Sequence, residues 1–159
     1  YSSGAVTTQG RFAFRYGRVD IRARLPHGAG IWPAFWLLPV AQSSWLAPYE
    51  IDMMEAYGLT PGIAMTLHWS THQAQCTLVG PDFSAGYHVF SLVWTPTSLT
   101  WYVDGQRACE QTEHIPTVAM YLILNTALGG IAGQPAGAGE FPRVLSVDYV
   151  RVYQPAGTR

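Results

Sequence analysis

The fold class is decided by the segment 17–25, GRVDIRARL, in which charged and apolar side chains alternate from Arg18 onward. Val19, Ile21 and Ala23 fall on one side of this segment, and the charged residues fall on the other. A period of two residues is typical of a half-buried β-strand, because successive side chains of a strand point to opposite faces. The segment therefore predicts a strand that covers a hydrophobic core.

Short segments of the same kind follow one another along the chain, separated by Gly, Pro, Ser and Asp. Asp104-Gly105 predicts the turn of a β-hairpin, and only one short helical turn is expected, near 112–116. This punctuation predicts an all-β sandwich or barrel, folded as one domain over residues 1–159. The predicted strands are 11–14, 17–25, 31–38, 49–57, 64–70, 88–95, 99–103, 121–127 and 145–154.

The composition excludes several classes of partner. With a net charge of −1 and no basic stripe, the chain is a poor candidate for binding nucleic acid or an anionic membrane surface. No apolar run is long enough to span a bilayer. Aromatic residues make up 13% of the chain, which suits a sugar-binding surface but equally suits ordinary strands. Whether Cys76 and Cys109 pair is left open by the sequence.

Three acids lie close together in the run 50–55, EIDMME. On a regular strand Glu50 and Asp52 share one face, whereas Glu55, five residues after Glu50, points to the other. One extra residue at Met53 or Met54, forming a β-bulge, would return Glu55 to the face of the other two acids. A bulge is therefore the structural prediction on which any joint chemistry of these acids depends.

Three neighbouring carboxyls repel one another, so the pKa of at least one of them is expected to be raised. A retaining glycosidase needs one ionised and one protonated carboxyl about 5–5.5 Å apart. We expect Asp52 to share a proton with Glu50, and its charge to help keep Glu55 protonated. The alternatives are a solvated acidic strand face and a calcium site. The aromatic and apolar flanks of the run favour a cleft.

These residues belong to a longer pattern, and the chain resembles the glycoside hydrolase family 16 enzymes, in the branch with the bulged E-I-D-x-x-E motif. That branch includes laminarinase-like and bacterial exopolysaccharide endo-β-glycanases. The matching blocks, in the family's order, are 1–4 (YSSG), 16–26 (YGRVDIRARLP), 30–39 (GIWPAFWLLP), 50–55 (EIDMME), 88–94 (HVFSLVW), 124–130 (LNTALGG) and 147–153 (VDYVRVY).

The resemblance implies a β-jelly-roll sandwich of the concanavalin A-like lectin/glucanase type, with a concave substrate cleft. It implies a retaining endo-β-glycanase that hydrolyses a β-1,3- or mixed β-1,3/1,4-linked glucan-type polysaccharide through a glycosyl-enzyme intermediate. In those roles Glu50 is the nucleophile, Glu55 the acid and base, and Asp52 their electrostatic assistant. The alternatives are a non-catalytic carbohydrate-binding jelly roll and a transglycosylase of the same family.

The resemblance also implies substrate contacts for residues outside the acid run. Trp32 and Trp45 are expected to bind sugar rings, and Asn125 to hydrogen-bond sugar hydroxyls. His68 is expected near Glu55, where it would tune the pKa of that carboxyl. Trp36 shares a face with Trp32 but is expected to be a core residue.

Further expectations concern polar residues on other strands. Asp20 and Arg22 share the polar face of their strand and are expected to bind the substrate, a surface ion pair being the alternative. Asp148 is a candidate ligand of a structural calcium ion, and no cofactor is expected for catalysis. Tyr49 stands where the bulged branch usually has Gly, so its bulk is expected to reshape a subsite.

The resemblance also leads to expectations about the sheet edge, the location, the partners and the oligomeric state of the protein. The strands that usually precede the 1–4 block are missing from this sequence, which is expected to lower stability or to expose a sheet edge. No signal peptide is visible, yet the family implies a secreted protein of bacterial type. The expected partner is the polysaccharide alone, with no nucleic acid or membrane, and the expected state is a monomer.

Overall fold

A computed structural model of the chain describes residues 1–41, 49–135, 137 and 141–155. Within these ranges it contains eleven β-strands and one short 3-10 helix. The strands are β1 (Ala5–Thr7), β2 (Gly17–Arg24), β3 (Ile31–Pro39), β4 (Tyr49–Glu55), β5 (Ile63–Trp69), β6 (His72–Leu78), β7 (His88–Trp94), β8 (Leu99–Val103), β9 (Gln106–Gln111), β10 (Met120–Leu128) and β11 (Ser146–Tyr153), and the helix is Gly130–Ala132.

The strands form two antiparallel sheets that pack face to face, as the sequence predicts. The first sheet has the order β1-β10-β3-β4-β5-β6, and the second has the order β11-β2-β7-β8-β9. The core fills the space between them, and Phe35 of the first sheet meets Phe90 of the second with ring centroids 5.8 Å apart. The acid-bearing strand β4 therefore lies near the middle of the first sheet, with β3 and β5 as neighbours.

Strand alternation sorts side chains between the core and the outer surfaces. In β2, Val19, Ile21 and Ala23 are at most 1% exposed, which confirms the pattern that predicted the fold. The predicted hairpin is also confirmed, because Asp104 and Gly105 both have positive φ, at 49° and 78°. That pair of left-handed residues is what a tight turn between twisted strands requires.

Several predicted elements differ in the structure. The segment 11–14 is not a strand, because the amides of Arg11 and Phe12 both bond the carbonyl of Thr8 in a turn. The helical turn near 112–116 is absent, and the helix lies at Gly130–Ala132 instead. Strand β6 is not among the predicted strands, since its largely polar sequence, HQAQCTL, gives no clear apolar alternation.

A disulfide between Cys76 of β6 and Cys109 of β9 joins the end strands of the two sheets. It answers the question of pairing that the sequence left open. At the opposite side of the sandwich the end strands are β1 and β11, and apolar side chains there are exposed, Val6 by 72% and Val150 by 41%. Across the described ranges, no helix has the length and apolar character to cross a membrane.

Candidate active site

Strand β4 carries the predicted bulge. On the β3 side, Phe35 pairs with Met54 and Trp36 with Asp52, so Met53 has no partner. On the β5 side, Asp52 pairs with Thr66 and Glu55 with Ala64, so three steps along β4 match two along β5. Met53 and Met54 are both buried in the core. The extra residue confirms the prediction and places Glu55 on the same face as Asp52.

We call this surface of the first sheet the acid face, defined by Glu50, Asp52 and Glu55. Residues paired across neighbouring antiparallel strands point to the same face. The register therefore adds to it every second residue of the adjoining strands. These are Trp32, Ala34, Trp36 and Leu38 of β3, Ala64, Thr66 and His68 of β5, and Tyr121, Ile123, Asn125 and Ala127 of β10.

Glu50, Asp52 and His68 form one compact cluster on the acid face. One side-chain oxygen or nitrogen of each lies within 4.8 Å of the others. His68 Nε2 is 2.9 Å from Oδ2 of Asp52, whose side chain is almost completely buried. The prediction that His68 lies against Glu55 is wrong, because His68 pairs with Glu50 in the β4–β5 register, five residues away from Glu55 along β4.

Burial and mutual repulsion raise the pKa of two carboxyls, as the sequence predicts for at least one. The pKa of Glu50 rises to about 8, chiefly through burial and then through the charge of Asp52, while the charge of His68 opposes the rise. The pKa of Asp52 is also raised, chiefly by burial and then by the charge of Glu55. A hydrogen bond joins the two carboxyls, with Asp52 accepting, so this pair holds a shared proton near neutral pH.

Glu55 is held separately, by one donor on each oxygen. The indole N–H of Trp32 donates to Oε1 at 3.0 Å, and the hydroxyl of Tyr57 donates to Oε2 at 2.6 Å. The two donor rings meet edge to face, with centroids 5.6 Å apart. Burial and the bond to Glu55 raise the pKa of Tyr57 above its ordinary range, so its hydroxyl stays a donor.

Tyr57 is a site residue that sequence reasoning missed, since in the sequence it stands only as an aromatic flank of the acid run. Its position two residues after Glu55 was a usable signal, because a side chain at i+2 can lie beside that of residue i. Trp32 was expected on this face and is found there, but its N–H is directed at Glu55. Its part in binding sugar rings stays a prediction.

Trp36 also lies on the acid face, which corrects the expectation that it is a core residue. It is half-buried and packs with Leu38 and Tyr121 in a small cluster separate from the main core. Its N–H donates to Oδ1 of Asn125 at 2.7 Å. Asn125 is thus on the predicted face, and its side-chain Oδ1 already accepts a hydrogen bond. A contact with sugar through its NH₂ group stays a prediction.

Asp20 and Arg22 do not reach the acid face, so their assignment to substrate binding there is wrong. They belong to β2 in the second sheet, where Val19 and Ile21 take the inward positions and leave both charges on the outer surface. Asp20 is paired with Arg18 at 2.7 Å, and Arg22 with Asp148 at 2.6 Å. The surface ion pair, the alternative interpretation, describes them.

The ion pair with Arg22 involves Asp148, the candidate calcium ligand. Asp148 occupies the bulge of β11, and its Oδ2 already accepts the Arg22 guanidinium. A calcium ion needs several oxygen ligands, and it would have to displace that cation. Within the described ranges the only cluster of three or more His, Cys, Asp and Glu ligands is Glu50, Asp52 and His68. The part of Asp148 in binding a structural calcium ion stays a prediction.

Two other expectations concern residues next to the acid run. Tyr49 pairs with Trp69, and both pack against the core between the sheets. Its bulk is thus directed away from Glu50, and the expectation that it reshapes a subsite on the acid face is not met. Trp45, expected to bind a sugar ring, lies outside the described residues, so its role stays a prediction.

Glu50 and Glu55 lie on one sheet face, Glu50 beside Asp52 and Glu55 between two hydrogen-bond donors. A glycoside hydrolase uses a pair of carboxyls of this kind. Comparison with known families agrees with that class. Residues 1–149 match the family described as Glycosyl hydrolases family 16. The chain belongs to this family.

Individual relatives share both sequence and fold. The chain is 39% identical to glucan endo-1,3-beta-glucosidase A1 of Niallia circulans over 97% of its own length and 26% of the relative's. It is 36% identical to a beta-glucanase of Rhodothermus marinus, over 97% of its own length and 63% of the relative's. The chain therefore spans less than two thirds of these proteins.

A solved structure confirms the jelly-roll fold expected from the sequence. The catalytic domain of an endo-1,3-beta-glucanase (laminarinase) from Thermotoga petrophila superposes with a TM-score of 0.84 at 34% identity. The match covers 96% of this chain and 69% of that structure.

Proposed function

We propose that the protein is a retaining endo-β-glycanase that cuts β-1,3- or mixed β-1,3/1,4-linked glucans. The observation that carries the proposal is the bulge at Met53, which brings Glu50 and Glu55 to one face of β4. A chain with three acids but no bulge would direct Glu55 into the core. The bulge disrupts the regular pairing of a central strand. Bulges are common next to active sites, where they change the direction of a side chain.

In the first step the Glu50 carboxylate attacks the anomeric carbon and the glycosidic C–O bond breaks. Glu55, which must have taken up a proton before this step, gives that proton to the leaving oxygen, so the departing chain leaves as an alcohol. Glu50 must be ionised to attack, so the proton that it donates in its hydrogen bond to Asp52 must first pass to Asp52. Burial favours that arrangement, because a buried Asp52 is easier to keep neutral than charged.

In the second step Glu55, now a carboxylate, removes a proton from water, and the water oxygen attacks the glycosyl–Glu50 ester. Glu50 leaves as the carboxylate, and the sugar is released with its original anomeric configuration. Trp32 and Tyr57 hold the Glu55 oxygens in place during both transfers. No cofactor is needed for either step.

The substrate class is drawn from the relatives. The names of the Niallia circulans and Rhodothermus marinus proteins state action on β-1,3-glucan and β-glucan, and other relatives are called endo-1,3-1,4-beta-glycanases. We further propose that the protein is exported and works as a monomer. The Cys76–Cys109 disulfide favours an oxidising compartment.

The proposal is tested by incubating the protein with laminarin, mixed-linkage glucan, galactan and a bacterial exopolysaccharide, with reducing-end release and product anomers as readouts. We expect new reducing ends from the two glucans, with net retention. Glu50→Gln should lower turnover about 10⁴-fold, since it removes the nucleophile. Glu110→Gln is the control, because Glu110 lies on β9 and pairs only with an exposed Arg107.

Each other outcome has a clear meaning. Glucan binding with no product from the wild type would indicate a carbohydrate-binding jelly roll. Transfer to an added oligosaccharide in preference to water would indicate a transglycosylase. Full activity of Glu50→Gln would end the proposal.

A further inference from the structure

We propose that Trp101, a core residue of the opposite sheet, is a positioning residue that holds the bulge of β4 in its reactive shape. The proposal rests on the glycanase function proposed above and adds to it a residue that never meets the substrate. Trp101 lies on β8 and is 2% exposed. Its indole N–H crosses the sandwich and donates to the backbone carbonyl of Asp52 at 2.9 Å.

The direction of that carbonyl is the reason for the proposal. In a regular antiparallel ladder, carbonyls lie in the plane of the sheet and point to the neighbouring strands. A donor on the opposite sheet reaches a carbonyl only where the peptide has turned toward the core. Asp52 immediately precedes Met53, the residue without a partner on β3, so the bulge supplies that turn.

A carbonyl turned into an apolar core carries a cost unless it finds a donor. A buried carbonyl without a donor keeps its full desolvation penalty, which disfavours the bulged strand relative to a regular one. The Trp101 N–H removes this cost in the bulged form only. The bond therefore selects the backbone shape in which Glu50, Asp52 and Glu55 share a face.

The position of Trp101 is itself fixed. In the β8–β9 register it lies opposite Cys109, which is disulfide-bonded to Cys76 on β6. The donor and the disulfide thus cross the sandwich side by side, one to β4 and the other to β6. A tryptophan anchored in this way resists the displacement that would release the Asp52 carbonyl.

The test compares Trp101→Phe with Trp94→Phe. Trp94 is also buried, at 1% exposure, and its N–H also donates to a backbone carbonyl, that of Pro116. Both variants lose a buried donor and part of a ring, but only one loses a contact with the acid strand. We measure kcat, KM, the pH profile of kcat/KM, and thermal stability on the same glucan.

We expect Trp101→Phe to lower kcat by roughly 10- to 100-fold with little change in KM, because small misplacement of catalytic groups has effects of that size. We also expect the acidic limb of its pH profile to move, since the spacing of Glu50 and Asp52 sets their shared proton. Trp94→Phe should lose comparable thermal stability and keep kcat and the pH profile of the wild type, measured below its melting temperature.

A second variant covers the case in which Trp101→Phe does not fold. Replacing Trp101 alone with β-(3-benzothienyl)alanine keeps the shape of the ring and exchanges N–H for sulfur. The same loss of kcat is expected from that single change. Wild-type kcat and pH profile in either folded variant, or equal losses of kcat in Trp101→Phe and Trp94→Phe, would overturn the proposal. An inactive wild type would instead count against the glycanase function.

Discussion

Glu50, Asp52 and Glu55 lie on one face, but each meets different neighbours. Glu50 and Asp52 share a hydrogen bond and a proton, and Asp52 is further held by His68. Glu55 has its own donors, Trp32 and Tyr57. The contacts of the two proposed catalytic residues thus differ. Glu50 shares a proton with a neighbouring carboxyl, whereas Glu55 is oriented by two donors.

Tyr57→Phe tests the orientation of Glu55. The change removes the 2.6 Å bond to Oε2 and leaves the ring contact with Trp32 in place. We expect kcat to fall roughly tenfold with KM nearly unchanged, because a freely rotating carboxyl is less often in the geometry for proton transfer. Steady-state kinetics on laminarin measures it, with Tyr102→Phe on the second sheet as control. Unchanged kcat would contradict the role of Tyr57.

His68→Gln tests the electrostatics of the nucleophile. The charge of His68 lowers the pKa of Glu50, so losing it should raise that pKa further. A higher pKa leaves less ionised Glu50 at a given pH, and the acidic limb of kcat/KM should move to higher pH by about one unit. The pH profile of His72→Gln, an exposed histidine on β6, should match the wild type. A limb that stays in place or moves to lower pH would contradict this reasoning.

At the scale of the element, the bulge in β4 consists of one extra residue, Met53. Removing Met53 from the register would leave Asp52 opposite Trp36, Met54 opposite Phe35 and Glu55 opposite Ala34, in unbroken sequence. A strand of that length alternates regularly and keeps Glu55 on the acid face.

Deletion of Met53 should therefore preserve measurable activity. We expect the deletion to lower the free energy of unfolding by about 2–5 kcal/mol, because a core side chain is lost. Glucan hydrolysis should stay detectable, whereas the exchange Met54→Glu/Glu55→Met should abolish it by placing the acid in the core. Activity assays and urea unfolding of both variants measure this. An inactive but folded deletion variant would show that the bulge has a role beyond orienting Glu55.

The deletion also bears on Trp101. With a regular strand, the Asp52 carbonyl returns to the plane of the ladder and no longer needs a donor from the core. Adding Trp101→Phe to the deletion of Met53 should then cause little further loss of kcat. A double-mutant cycle measures this coupling.

At the scale of the whole molecule, the two sheets are tied together at one side and open at the other. The Cys76–Cys109 disulfide joins β6 to β9, while β1 and β11 at the far side leave apolar side chains exposed. Packing between the sheets places Trp101 against β4. The stability of the sandwich and the shape of the site therefore depend on the same inter-sheet contacts.

Loss of the disulfide should be costly for folding. The bridge closes a loop with a sequence separation of 33, for which restriction of the unfolded chain contributes about 4 kcal/mol. We expect Cys76→Ser/Cys109→Ser to lower the free energy of unfolding by about that amount, measured by urea unfolding. Reductant should destabilise the wild type to a similar level and leave the double variant unchanged. A variant as stable as the wild type would contradict the estimate.

Much of the site was predictable because it follows from spacing along one strand. Alternation puts Glu50 and Asp52 together, and the extra methionine requires a bulge if Glu55 is to join them. The roles of Asp20 and Arg22 were not predictable, since alternation says that two residues share a face but not which sheet carries it. His68 was placed on the correct strand but opposite the wrong acid, because register between strands is set by pairing along their whole length.

The sequence by itself determined the all-β class and the hairpin at Asp104-Gly105, because each depends on residues close together in the chain. It also indicated the family, through motifs spread along the chain, and it predicted a bulge if Glu55 is to join the other two acids. Only the tertiary structure decided which partners surround each acid. Trp32 on Glu55, His68 on Asp52 and Trp101 on the Asp52 carbonyl all depend on how strands twist and pack. The reason is physical: local alternation fixes the face of a side chain, whereas its distance to a neighbour depends on the packing of both sheets.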